Sequence, residues 1–145
     1  MLVKQISVFI ENKKGRAANL TKTLAENGID LVSLSIADTT NFGILRCIVD
    51  DSNKALKVLK ESGYTAGAND VLAVEVEDKP GGLAKVLAIL DEAGISIEYL
   101  YSFVRIPSKS ALILFRVEEI DKATKVLEKK GIRLLLEKDV FGLKK

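Results

Sequence analysis

The stretch DKPGGLAKVLAILDEAGISI, residues 78–97, reads as a turn, a helix and the start of a strand, and a weaker copy, NKKGRAANLTKTLAENGIDL, occupies residues 12–31. In the first copy to be quoted, Leu83, Val86, Leu87 and Leu90 recur at helical spacing. Ala17, Leu20, Thr21 and Leu24 match them in the other, so each helix has one face to bury. Gly94 and Gly28 follow, where a helix C-terminus takes a residue that tolerates positive φ. An offset of 66 residues lays Gly15 on Gly81, Leu24 on Leu90, Glu26 on Glu92, Gly28 on Gly94 and Ile29 on Ile95. A fixed period of this kind marks an internal repeat, here a tandem duplication.

Reading outward, each copy opens with period-two alternation: Ile6, Val8 and Ile10 in one, Leu72, Val74 and Val76 in the other. These are strands with one buried face. After the helix come second strands, IDLVSLSIAD and ISIEYLYSFVRI, then the turn-like DTTNFG and PSKSA, then third strands, GILRCIVD and ALILFRVEE. Beyond the hairpins the offset becomes 68, setting Val49 on Val117, Ala55 on Ala123, Val58 on Val126, Leu59 on Leu127 and Gly63 on Gly131. The second hairpin is therefore two residues longer. Second helices are expected over roughly 52–62 and 120–130, and short final strands around 64–68 and 132–137, with DVFGLKK as a tail of no assigned form. The order β, α, β, β, α, β is the split βαβ of the ferredoxin-like, α+β class: an antiparallel sheet with helices on one face. Two domains are expected, 1–68 and 69–145, the second ending in the short tail, with their sheets paired side by side into a larger one.

Composition excludes several classes of function. The chain has 145 residues, 48% of them hydrophobic and 29% charged, enough for a core without staples and unlike a disordered segment. Lys and Arg total 22 against 20 Asp and Glu, a net charge of +2, which offers no strong field to nucleic acid or anionic lipid. One cysteine, Cys47, rules out an internal disulfide and a cysteine-based metal cluster. The absence of histidine removes the commonest general base and metal ligand. Cys47 sits in the strand-like ILRCIV without a histidine partner and reads as a structural thiol. The opening MLVKQISVFIENKK lacks the apolar centre of a signal peptide, and no apolar run approaches the roughly 18 residues of a membrane span. The expectation is a cytoplasmic protein that is not an enzyme and needs no cofactor.

The two quoted stretches resemble the opening of an ACT domain: a strand ending in a Pro-Gly or Gly turn, a Leu-rich helix, and a Gly-Ile pair leading into the second strand. The similarity covers almost the whole chain and matches small proteins built of two tandem ACT domains without a catalytic domain. What the resemblance implies is regulation: an amino acid held between two ACT units, modulating amino-acid metabolism, with a partner enzyme of that metabolism and association into a homo-oligomer, a dimer, as expected partners.

In family members that bind an amino acid, the turn after the first strand and the start of the second strand supply the polar contacts. By this resemblance the turn's Asn falls on Asn12 and Asp78 and its glycine on Gly15 and Gly81. The position after Gly-Ile, often Asn in the family, is Asp30 in one copy and Ser96 in the other. The residues themselves support such a site. A glycine before a helix lets a ligand approach the backbone, and the N–H groups of the first turn attract a carboxylate: those of Arg16 and Ala17 in one copy, Gly82 and Leu83 in the other. Asp30 or Asp78 would accept from an ammonium group. Structural roles as turn and cap residues account for Asn12, Gly15, Asp78 and Gly81 equally well. Ile97, Tyr99, Tyr101 and Phe103 read as one alternating face where the twin carries Leu31, Ser33, Ser35 and Ala37, so Tyr99 and Tyr101 are candidates to line a pocket or interface. The divergence predicts two unequal sites.

Two rival readings remain. RNA-recognition modules share the βαββαβ order, but ILRCIVD and LILFRVEE lack their basic and aromatic signature. A ligand-independent assembly subunit of a metabolic enzyme is the stronger alternative, favoured by Phe9 on the otherwise polar face of the first strand.

Overall fold

The computed structural model describes residues 2–38, 41–102 and 110–142. It divides into two compact units, one of Lys4–Asn69 and one of Asp70 onward together with the residues up to Val3.

The first unit carries β1 (Val3–Glu11), α1 (Arg16–Glu26), β2 (Leu31–Asp38), β3 (Phe42–Val49), α2 (Ser52–Glu61) and the opening of β4 (Thr65–Glu77). In the antiparallel ladders Ile6 opposes Cys47, Val8 opposes Leu45, and Leu34 also opposes Cys47. Opposed residues share a face, so Ile6, Val8, Ile10, Leu45 and Cys47 form one apolar surface. Leu20 and Leu24 of α1 and Ala55 and Leu59 of α2 close over it, and the group is fully or almost fully buried. The Gly-Ile pair of the sequence has a clear task here. Gly28 takes φ 69°, and the chain then folds back so that Ile29 N–H donates to the Leu24 carbonyl at 3.0 Å while its side chain enters the core.

The second unit repeats the plan with the rest of β4, α3 (Gly82–Glu92), β5 (Ile97–Ser102), β6 (Ser110–Val117), α4 (Ile120–Lys129), β7 (Leu134–Leu135) and α5 (Glu137–Gly142). Leu72 opposes Phe115 and Val74 opposes Ile113, and Val86, Leu90, Ala123 and Leu127 cover them. Both units are thus ferredoxin-like, with antiparallel sheets and helices on one face, as the periodicity predicts.

Three expectations need correction. The strand expected over 64–68 does not end there, because Thr65–Glu77 is one strand of 13 residues. Gly67, the residue within it best able to turn the chain, does not adopt positive φ. The final strand expected over 132–137 shrinks to Leu134–Leu135, opposite Val74 and Ala73. The chain then turns into α5, where the Asp139 carboxylate accepts from Leu136 N–H at 3.2 Å and Val140 is fully buried, so that much of the tail is helical. The row Ile97, Tyr99, Tyr101 is not one face. A bulge between Ile97 and Tyr99 sets Ile97 opposite Val117 against the core, and turns Tyr99 and Tyr101 to the other face opposite Arg116 and Leu114. Phe103, the last of that row, lies outside the described residues.

Cys47 has no exposed surface, and burial pushes its thiol up to about 12. A thiol that cannot ionise is not a nucleophile. Cys47 is therefore expected to resist a thiol-specific reagent at pH 8 in the native protein and to react at once in denaturant, and rapid native labelling would contradict its burial. Its linkage to stability has one sign. Folded and unfolded thiols are both protonated below pH 9, and stability is lost from 9 towards 12 as the unfolded thiol ionises while the buried one does not.

Candidate ligand-binding site

The two turns that the sequence singles out are built alike. Glu11 and Glu77 end their strands, and Lys13 and Lys79 return to them with N···O distances of 2.9 and 2.8 Å. These lysines hold both carboxyls below the usual carboxylate range, so Glu11 and Glu77 are ionised at neutral pH. Asn12 donates its N–H to the Asn41 carbonyl at 3.1 Å, and Asp78 lies exposed in the equivalent turn. Gly15 and Gly81 then adopt φ of 86° and 88°, left-handed values that a side chain would resist.

Those glycines leave the helices open at their start. No side chain caps α1 or α3, and neither has an acidic residue in its first turn. By contrast, α2 is capped by Asp51, whose carboxylate accepts from Lys54 N–H at 3.0 Å, and α4 has Asp121 in its first turn. The N–H groups expected to meet a ligand need amending. Arg16 and Gly82 already donate to the carbonyls of Lys13 and Lys79, at 3.3 and 3.0 Å. Among the described hydrogen bonds none uses the N–H of Ala17 or Leu83.

The start of the second strand is far from the turn of its own unit. Glu11 opposes Phe42 at one end of β3, whereas Leu31, next to Asp30, opposes Val49 at the other. Seven residues of strand separate them, about 23 Å at the usual rise. Asp30 is engaged there: its N–H donates to the Asp50 carboxylate at 3.0 Å, and its carbonyl accepts from Asp50 N–H at 3.1 Å. In the second unit Ser96 makes only the latter contact in kind, its carbonyl accepting from Glu118 N–H at 3.3 Å. One unit by itself does not bring Asp30 or Ser96 to its own turn. Tyr99 and Tyr101 are half-buried at mid-strand, also away from the turn.

The first unit has a feature not foreseen. A cleft of about 300 Å³ opens beside the start of α1, lined among others by Phe9, Glu11, Arg16, Asn19, Phe42 and Tyr64. Arg16 is the single member of the predicted set that lines it. Arg16 Nη2 stands 3.5 Å from the Glu11 carboxylate, and Asn19 donates its amide to the Tyr64 phenol oxygen at 3.0 Å. Phe9 and Phe42 are 56% and 54% exposed.

The second unit fills the same places differently. Phe9 and Thr65 correspond to Glu75 and Arg133, which form an ion pair at 3.1 Å. Arg16 corresponds to Gly82, where a methyl group would collide with the main-chain carbonyl of Glu77. Asn19 corresponds to Lys85 and Tyr64 to Ile132.

The family profile described as an ACT domain pair matches residues 1–144. The chain belongs to the ACT-domain family. Protein BT0572 from Bacteroides thetaiotaomicron is 41% identical, with a TM-score of 0.91 over 97% of this chain and 96% of that one. The regulatory subunit of aspartate kinase from Thermus thermophilus, in its ligand-free form, is similar in fold, with 22% identity and a TM-score of 0.65 over 88% of this chain and 93% of its own. No curated protein matches the chain. As a tandem ACT protein it is a regulatory module and not a catalyst. Among the described residues no group of acidic or cysteine side chains could hold a metal ion, and no helix is long and apolar enough to cross a membrane.

Proposed function

We propose that this ACT-domain pair senses an amino acid and transmits its presence to an enzyme of amino-acid metabolism. The observation that carries the reading is the open start of α1 and α3, with glycine caps, no side-chain acceptor and no acidic residue in the first turn, whereas α2 has the Asp51 cap and α4 has Asp121 in its first turn. An amino acid's carboxylate supplies the missing acceptor at Ala17 or Leu83. A homodimer in the cytoplasm is the state in which we expect it to act. The fold shared with the Thermus thermophilus regulatory subunit supports a partner enzyme of this kind.

Thermal unfolding of the full chain against the twenty amino acids tests the reading. A ligand at a hundredfold over its dissociation constant adds about 2.7 kcal/mol, a rise on the order of 8 °C for a chain of this length. A flat panel sinks the sensing role and favours the second reading, ligand-independent assembly with an enzyme. The exposed Phe9 and Phe42 are what favour that alternative.

A further inference from the structure

The cleft of the first unit has the complement of groups that a particular class of amino acid needs. Its volume of about 300 Å³ is at the lower end for small-molecule sites, and suits one small ligand. Arg16 is held to Glu11 less closely than Lys13 is, at 3.5 against 2.9 Å, so its planar fork keeps donors for a carboxylate. The ionised Glu11 accepts from an ammonium group. Tyr64 uses its oxygen as an acceptor for Asn19, which leaves its O–H to donate. The rest of the lining mixes Ser62, Gly63 and Thr65 with Ile10 and two phenylalanines, and the latter, each more than half exposed, offer an apolar wall whose coverage by an apolar group removes unfavourable surface from water.

We propose that this cleft seats the side chain and zwitterion of a bulky apolar α-amino acid, with Arg16 on the carboxylate, Glu11 on the ammonium group, and Phe9 and Phe42 against the side chain. The inference rests on the sensing role proposed above and gives it a ligand class and a seat. It also assigns one such site per chain. In the second unit the ion pair of Glu75 and Arg133 stands where Phe9 and Thr65 stand in the first, and Gly82 leaves no place for an arginine side chain. A ligand with a charged side chain would bury that charge against the phenylalanines without a partner, and glycine would leave both rings wet.

Isothermal titration of the full chain with L-phenylalanine and L-leucine, with glycine and L-aspartate as controls, tests this. At least one of the first two is expected to bind with one equivalent per chain, and the controls at least tenfold more weakly. Arg16→Gln is expected to weaken binding at least tenfold and Phe42→Ala about fivefold, while Lys85→Ala, at the twin of Asn19, changes nothing. All three positions are on the surface, and circular dichroism verifies that the variants fold. Equal binding of glycine or L-aspartate overturns the proposal, as does unchanged affinity in both Arg16→Gln and Phe42→Ala. If neither L-phenylalanine nor L-leucine binds, the proposal fails. The thermal panel then separates the two ideas: stabilisation by another amino acid keeps the sensing role, and a flat panel removes both.

Discussion

Phe115→Ala is expected to lower the stability of the protein by about 4 kcal/mol, the cost of emptying a fully buried aromatic site. Phe115 has no exposed surface and stands at the centre of the second core, opposite Leu72 on one neighbouring strand and Leu100 on the other. Its twin in the first unit is Cys47, also fully buried. The two cores thus fill one topological position with side chains of very different volume, and Cys47→Ala is expected to cost only about 1 kcal/mol. Denaturant unfolding of both variants measures the contrast. A loss below about 2 kcal/mol for Phe115→Ala would mean that the second core collapses around the vacancy.

Gly82→Ala is expected to cost about 3 kcal/mol, in the upper range for an overpacked site. The added methyl meets the carbonyl oxygen and carbon of Glu77, which are main-chain atoms of β4 and cannot rotate aside. Either the strand end or the start of α3 must move. Arg16, at the same place in the other unit, carries a full side chain, and Arg16→Ala is expected to leave stability within about 0.5 kcal/mol. The two substitutions, compared by thermal melting, separate by roughly 8 °C or more. Equal melting temperatures would show that the approach of α3 to Glu77 relaxes freely.

The elements readable from sequence are those in which local signals agree. Leu83, Val86, Leu87 and Leu90, bounded by Gly81 and Gly94, specify a helix by period, start and stop together, and the helix runs from Gly82 to Glu92. Where signals were absent the reading went astray. Nothing between Thr65 and Glu77 marks a strand that joins one unit to the next, because the position best suited to a break, Gly67, stays in ordinary extended backbone. The bulge after Ile97 leaves no mark in the alternation, since a one-residue slip still reads as apolar, polar, apolar. It nevertheless reassigns Tyr99 and Tyr101 to the other face.

The turn residues were legible because a glycine before a helix has a conformational reason, and Gly15 and Gly81 do adopt the left-handed backbone that reason requires. The cleft was not, because Phe9, Asn19, Phe42 and Tyr64 come from separate elements and share no spacing. One trace of it was present. The columns that hold Phe9 and Thr65 in one copy hold opposite charges, Glu75 and Arg133, in the other. In the folded second unit those two charges meet as an ion pair at 3.1 Å.

The close approach of α3 to Glu77 also bears on how far the two copies are interchangeable. At the pair Glu75 and Arg133, two substitutions would place the Phe and Thr of the first copy in the second. Gly82 is different. With the helix seated against the strand end, no side chain fits there without shifting the backbone, so a point mutation to arginine at 82 does not by itself reproduce the first unit's arrangement. Grafting the cleft into the second unit therefore requires a backbone shift at the start of α3 as well as new side chains.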